Sequence, residues 1–199
     1  MIDLQPSRFN LVLTPCQADF SELVTEFARQ YFADQFTDYL LGANCLPHVT
    51  VCQFQGPTIS KVLNGDISVE LPDFSLGTDK DRIFQLKFDH FYLRSGRGQR
   101  ASVAAATPHN AATCTVGLAV AINPALLELQ QFYYEKLKQL GYTPLTLPED
   151  YFPHLTLARL AGETIEMPNP VDFRHFFGSR DFSLGLALSN TAGVMLRRI

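Results

Sequence analysis

Apolar and polar side chains alternate from residue 8 onward. Across residues 8–14, Phe9, Leu11 and Leu13 stand against Asn10 and Thr14, a period of two that predicts a half-buried strand. The period then changes. Phe20, Leu23, Phe27 and Tyr31 recur at three- and four-residue intervals, the stripe of an amphipathic helix. Asp19, with Glu22 three residues later, reads as the start box of that helix. A turn around residues 42–47 leads into a second strand at 48–54, stopped by Gly56 and Pro57. Residues 67–76 and 83–93 predict further strands on either side of the polar Gly77-Thr78-Asp79-Lys80 turn. Residues 94–112 carry the least pattern, and 113–122 returns to strand. Asn123 and Pro124 supply a cap and a first helical residue. Leu126, Leu129, Tyr133, Leu137 and Leu140 form the second apolar stripe, and Gly141 is placed to end it. Strands at 154–160, 181–189 and 194–198 complete the series.

Strand–helix–strand therefore occurs twice, each time followed by further strands. Helices among antiparallel hairpins imply an α+β protein. The expected architecture is one domain over residues 1–199, bilobal and pseudo-twofold, with antiparallel sheets, outer helices and a central cleft.

The repeat extends to the residues themselves. Pro47-His48-Val49-Thr50-Val51 and Pro153-His154-Leu155-Thr156-Leu157 share the pattern Pro-His-aliphatic-Thr-aliphatic, each in the strand after its own half's helix. Residues two apart in a strand share a face. His48 and Thr50 thus point one way, with Val49 and Val51 on the opposite, helix-covered side. His154 and Thr156 do the same above Leu155 and Leu157. A pseudo-twofold axis would bring both pairs to one cleft. Imidazole titrates near neutrality, so one histidine can accept a proton while its partner donates one. The two hydroxyls can hydrogen-bond the non-bridging oxygens of a phosphoryl group as charge builds there. A single histidine in a strand is more often a packing or surface residue than a catalyst. The five-residue pattern, however, is expected around any given histidine on the order of once in a thousand. Its presence at two of five histidines, in matching places, makes coincidence a poor explanation.

Composition narrows the setting without changing that picture. A 199-residue chain that is 46% hydrophobic and 18% charged can bury a substantial core. Its net charge of −4 argues against broad attachment to long nucleic acid and leaves room for a small phosphorylated ligand or an RNA end. Residues 1–10 lack the apolar core of a secretory signal, and the longest apolar run, 116–122, is far short of a membrane span. Cys16, Cys45, Cys52 and Cys114 form no C-x-x-C pair and no metal-ligand spacing. The expectation is a cytoplasmic monomer with free thiols and no membrane partner. No metal or cofactor is expected, because the two histidines and two threonines supply both proton transfers and the charge stabilisation.

These motifs resemble those of the 2H phosphoesterase superfamily, in particular its RNA 2′,3′-cyclic phosphodiesterases, also called 2′-5′ RNA ligases. Two H-x-[ST]-x motifs about a hundred residues apart mark that family. Here they are His48-Val49-Thr50-Val51 and His154-Leu155-Thr156-Leu157. The second lies within a longer similar stretch, Tyr151-Phe152-Pro153-His154-Leu155-Thr156-Leu157-Ala158-Arg159. Arg8-Phe9-Asn10-Leu11-Val12-Leu13 resembles the family's first strand, and residues 137–142 resemble its helix end. The resemblance implies metal-free hydrolysis of a 2′,3′-cyclic or 2′,5′-linked nucleotide or RNA phosphodiester, with reversible 2′-5′ ligation as a further possibility. It implies His48 as proton donor to the leaving oxygen and His154 as the base that activates water. Thr50, Thr156 and Arg159 would bind substrate, together with the motif neighbours Val49, Val51, Leu155 and Leu157. Two segments depart from the family pattern: 55–64, where Pro57 leaves little room for a helix, and 94–112.

Other residues carry weaker cases. Strand alternation sets Arg159 on the side of Leu155 unless a bulge intervenes. Cys52 continues the His48–Thr50 face and is expected to border the cleft, but no base stands near it in the sequence. Arg94, Arg97 and Arg100 could reach a phosphate, although a solvated turn explains them as well. Tyr151, Phe152, Phe173, Phe176 and Phe177 read as core, with base stacking as the functional alternative. His90, His109 and His175 have no threonine partner. Two rival functions stand beside the enzyme: a non-catalytic nucleotide- or RNA-end-binding protein, and a metalloprotein with His48 and His154 as ligands.

Overall fold

The computed structural model describes residues 7–42, 45–56, 59–63, 66–71, 74–95, 113–162, 175–189 and 195–198. Strand β1 (Ser7–Pro15) leads into helix α1 (Ala18–Phe32), strand β2 (Phe36–Leu40) and strand β3 (Val49–Gly56). Strands β4 (Ile59–Leu63) and β5 (Asp66–Glu70) form a separate hairpin, and β6 (Ile83–Ser95) follows. The second half repeats the first: β7 (Thr113–Val120), α2 (Pro124–Gln139), β8 (Thr143–Pro144) and β9 (His154–Ala161), then β10 (Gly178–Ser189) and β11 (Met195–Arg198).

The helices differ in how they begin. Asn123 caps α2 as its sequence predicts, its side-chain oxygen accepting the Leu126 N–H at 2.9 Å with Pro124 next in line. Gly141, at φ +79°, turns the chain out of that helix. Helix α1 starts one residue before the expected box. Gln17 holds its cap position without a side-chain hydrogen bond, and Asp19 lies inside the first turn, accepting the Phe20 N–H at 2.8 Å. There its carboxylate faces the positive end of the helix dipole. The expected strand at 67–76 is shorter, because β5 ends at Glu70 and Gly77–Asp81 forms a 3₁₀ turn.

All sheet pairings are antiparallel, giving the expected mixed α+β fold. One sheet runs β2-β9-β7-β6-β10-β1-β3-β8, with β11 against β10 and a further contact between β3 and β9. Within each half, the strand before the helix lies beside the motif strand: β1 beside β3, and β7 beside β9. The short strands after the helices were not foreseen, and they change partners. β2 pairs with β9, and β8 pairs with β3. The helices follow them, α1 packing on β9 and β2, α2 on β3 and β8.

The two halves of the chain thus exchange helices over their motif strands. Aromatic contacts line both helices. Phe20 of α1 stacks on Phe88 at 5.4 Å and meets Phe182 edge-on at 6.2 Å, while Phe27 packs on Phe91 and Phe176 at 5.8 and 4.8 Å. Beside α2, Phe74 faces Tyr133 at 6.4 Å, and Phe54 of β3 meets Tyr142 edge-on at 5.4 Å. The exchange joins both halves into one hydrophobic core running from Phe9 to Leu184.

Candidate active site

Both motif strands bulge at the same place. Against β1, Thr50 lies opposite Val12 and Cys52 opposite Leu11, so Val51 is skipped. Against β7, Thr156 lies opposite Gly117 and Ala158 opposite Val116, so Leu157 is skipped. An extra residue reverses the phase of a strand. Val51 and Cys52 are accordingly both fully buried, as are Leu157 and Ala158. Gln53 and Arg159 come out on the partly exposed side, in phase with Thr50 and Thr156.

Two sequence expectations change with the phase. Cys52 does not border the cleft. It is buried in the core, and burial pushes its thiol up to about 12, which rules out a thiolate nucleophile at neutral pH. Arg159 moves the other way, onto the face of His154 and Thr156. Its Nη1 donates to Asp38 Oδ2 at 3.0 Å, and its guanidinium lies 5.7 Å over the Tyr39 ring. Both partners belong to the exchanged strand β2.

The two histidines are held alike. His48 Nδ1 lies 2.8 Å from the Leu46 carbonyl oxygen, and His154 Nδ1 lies 2.6 Å from that of Phe152. A carbonyl only accepts, so each Nδ1 carries the proton and each Nε2 keeps its lone pair. Burial lowers the pKa of both imidazoles, against an opposing effect of those carbonyls. His48 and Arg94 lower that of His154 further. Both rings are therefore neutral at pH 7 in the free protein.

Val49 sits directly opposite Leu155, and this pair is where β3 meets β9. The register, continued one step each way, sets His48 across from Thr156 and His154 across from Thr50. The motif neighbours Val49, Val51, Leu155 and Leu157 are fully buried, so their side chains fill the core beneath the site. Thr50 and Thr156 are half-buried, and His48 is buried at 8% exposure.

Around His154 the walls are aromatic. Phe152 stacks on its ring, 26° from parallel at 5.3 Å, and Tyr92 meets both rings edge-on at 5.0 and 5.3 Å. Tyr92 Oη lies 3.4 Å from Thr156 Oγ1. Burial raises the pKa of this phenol, which keeps its proton available to donate. The close approach depends on Gly117, where a Cβ would fall 2.7 Å from Tyr92 Cε1 and 2.2 Å from the Leu155 carbonyl oxygen. Tyr92 escaped the sequence reading. Its signal was Gly117, a glycine inside an apolar strand, which marks a place where something comes near the backbone.

Arg94, the last residue but one of β6, holds its guanidinium 5.7 Å above the Phe152 ring. Tyr151, by contrast, turns into the core, as does Phe176. Arg97, Arg100, His109 and Phe173 lie outside the described residues. His90 pairs with Asp89 at 2.5 Å, and exposed His175 accepts at its carbonyl from Arg180 Nη2 at 3.1 Å. Among the described residues no group of three or more His, Cys, Asp or Glu could hold a metal ion, and no helix is long and apolar enough to cross a membrane. All four cysteines are free, with Cys16 exposed.

No protein-family model matches the chain, and no curated protein matches it in sequence. In structure it is similar to a crystal structure of a phosphoesterase, with a TM-score of 0.50 at 16% identity, covering 98% of each chain. It is also similar to the crystal structure of E. coli LigT in apo form, with a TM-score of 0.49 at 16% identity, over 98% of this chain and 97% of that one. The chain therefore shares its fold with a phosphoesterase of known structure.

Proposed function

We propose that the protein is a phosphodiesterase that cleaves a 2′,3′-cyclic or 2′,5′-linked nucleotide or RNA phosphodiester, with His48 and His154 as its acid–base pair. One observation carries the reading. Two His–Thr units occupy equivalent positions of two equivalent strands, and both imidazoles are locked with Nδ1 on a backbone carbonyl and Nε2 left for chemistry. The shared fold with a phosphoesterase agrees with it.

In the proposed reaction His154 Nε2 takes a proton from water as the water oxygen attacks phosphorus. The bond from phosphorus to the leaving oxygen breaks, and that oxygen receives a proton from His48 Nε2–H. The assignment of acid and base follows the family resemblance. Thr50 and Thr156 donate to the non-bridging oxygens, and Tyr92 orients the Thr156 hydroxyl. Arg159 contributes positive charge from the same face. Burial alone keeps His48 neutral, so its acid form depends on the anionic substrate, whose charge favours imidazolium. With a 5′-hydroxyl in place of water, the same two proton transfers would join RNA ends through a 2′,5′ linkage.

The test is hydrolysis of nucleoside 2′,3′-cyclic phosphates by metal-stripped protein in chelator. Turnover is expected, and its loss in both His48→Ala and His154→Ala. Tight binding without wild-type turnover would instead make the protein a nucleotide- or RNA-end-binding one. Turnover that chelator abolishes would make the histidines metal ligands.

A further inference from the structure

The repeat makes each half a control for the other, and the two are not alike beside their histidines. Counterparts follow from the pairings. The carbonyls of Leu46 and Phe152 hold the two imidazoles, so these residues correspond. Thr50 faces Val12 and then Gly185 across β3, β1 and β10; Thr156 faces Gly117 and then Tyr92 across β9, β7 and β6. One row further along, Asn10 opposite Ala187 corresponds to Thr115 opposite Arg94.

His48 thus has Leu46, Val12, Gly185 and Ala187 around it where His154 has Phe152, Gly117, Tyr92 and Arg94. The consequences differ. Val12 and Ala187 are fully buried and close against Met195 of β11 in a small apolar cluster. At the matching place beside His154, Tyr92, Leu93, Arg94 and Phe152 line a cavity of about 210 Å³. That is below the ~300–1,000 Å³ of pockets that enclose whole ligands, so it suits one planar part of a ligand.

Resting on the phosphodiesterase reading, we propose that this cavity is the base subsite. A planar heteroaromatic base lies on the open face of Phe152, closed from above by Arg94, and among the described residues the surroundings of His48 have no equivalent. Phe152 already stacks on His154 through one face, so the base would extend that stack beside the reacting phosphate. Two face contacts of about 3.5–4 Å each need some 7–8 Å between Phe152 and the guanidinium. The present 5.7 Å therefore requires Arg94 to lift by a couple of ångströms, which an exposed side chain at a strand end permits. Aromatic and guanidinium planes accept any base, so the subsite selects for a base without reading which one.

The experiment compares a nucleoside 2′,3′-cyclic phosphate with 1,4-anhydroribitol 2,3-cyclic phosphate, the same ester without its base. Stacking of about 1–3 kcal/mol corresponds to a roughly 5- to 150-fold preference in kcat/KM for the base-bearing substrate. Arg94→Ala and Phe152→Leu should each shrink that ratio toward unity, mainly through KM, while Leu46→Ala leaves the ratio unchanged. An equal loss on both substrates, or a ratio that responds to Leu46 and not to Arg94, overturns the subsite. If wild type turns over neither ester, the phosphodiesterase reading fails by itself. Calorimetric titration with a nucleoside 2′-phosphate and its base-less counterpart then decides the subsite: tighter binding of the former, weakened in Arg94→Ala, supports it, and equal binding overturns it.

Discussion

Val49 and Leu155 oppose each other across β3 and β9, and each is the other's counterpart in the repeat. A pair of equivalent residues in direct register marks the pseudo-twofold axis, so the axis passes between the two motifs. The separation of the histidines is then set by packing beneath this pair. Leu155→Ala should cost about 2–5 kcal/mol in urea unfolding, the range for a leucine removed from a core. Leu137→Ala, equally buried on α2, should cost a similar amount. At a temperature where both variants are folded, only Leu155→Ala should lose about 10- to 100-fold in kcat/KM, because misplaced reacting groups are penalised steeply. Equal activity losses would detach the axis from catalysis.

Tyr92 and Gly117 make a second pair with separable effects. Tyr92→Phe removes one 3.4 Å contact to Thr156 and keeps the ring against His154. Its expected cost is about 0.5–1.5 kcal/mol of transition-state stabilisation, or roughly 2- to 12-fold in kcat, with little change in Tm. Gly117→Ala should be far worse, since the new Cβ meets the Leu155 carbonyl oxygen at 2.2 Å. A Gly117→Ala protein as stable as wild type would contradict the geometry around β7.

Threonine hydroxyls on the cleft face carry a different signature. Thr50 is half-buried and above the core, so Thr50→Ala should leave the unfolding midpoint nearly unchanged. Loss of one donor to a developing phosphoryl charge should lower kcat by about 10²- to 10³-fold. Circular dichroism and steady-state kinetics on the same sample check both halves of this expectation.

The pH dependence follows from burial of the two imidazoles. Both are held below the ordinary value of about 6.5. In the free protein, the state with one neutral and one protonated ring peaks between the two macroscopic values of the pair, hence on the acid side of 6.5. The optimum of kcat/KM should therefore lie below that value and fall toward neutrality. Stability has the matching sign. Above about 6.5 both folded and unfolded histidines are neutral, and stability is full. As pH falls toward the lowered native values, the unfolded chain takes up protons that the folded chain does not, and stability declines. His48→Gln should flatten part of that decline, measured as the urea midpoint against pH. A kcat/KM profile that is flat from pH 5 to 7 would remove the imidazoles from the chemistry.

The repeat, the helices and the motif strands were legible because periodicity and capping are local properties. Asn123 announced α2 and Gly141 its end, and the shared Pro-His-x-Thr-x pattern announced β3 and β9. Three features were not legible, each for a physical reason. The bulges at Val51 and Leu157 depend on partner strands, so simple alternation misplaced Cys52. β2 and β8 are short edge strands whose pairing is decided by the other half. Tyr92 was hidden because nothing in β6 distinguishes it from its aromatic neighbours; only the gap at Gly117, on another strand, gives it a role.

Arg159 offers the last test, because the exchanged strand β2 gives it a second partner. The Asp38 carboxylate holds its Nη1 at 3.0 Å, with side-chain exposures of 53% for Asp38 and 22% for Arg159. A pair this open contributes about 0–1 kcal/mol to stability. Asp38→Asn should therefore barely move Tm. If Arg159 serves the substrate, removing its counter-ion frees more positive charge for a bound phosphate, and KM should fall or hold. Arg159→Ala should raise KM several-fold at equal stability, and Arg159→Lys should restore part of it, since charge is kept while the fork is lost. If Arg159 serves only to fasten β2, both Asp38→Asn and Arg159→Ala should lower Tm together and leave KM alone. The two outcomes differ in sign at Asp38, so one pair of variants, measured for KM and Tm, separates substrate binding from strand anchoring.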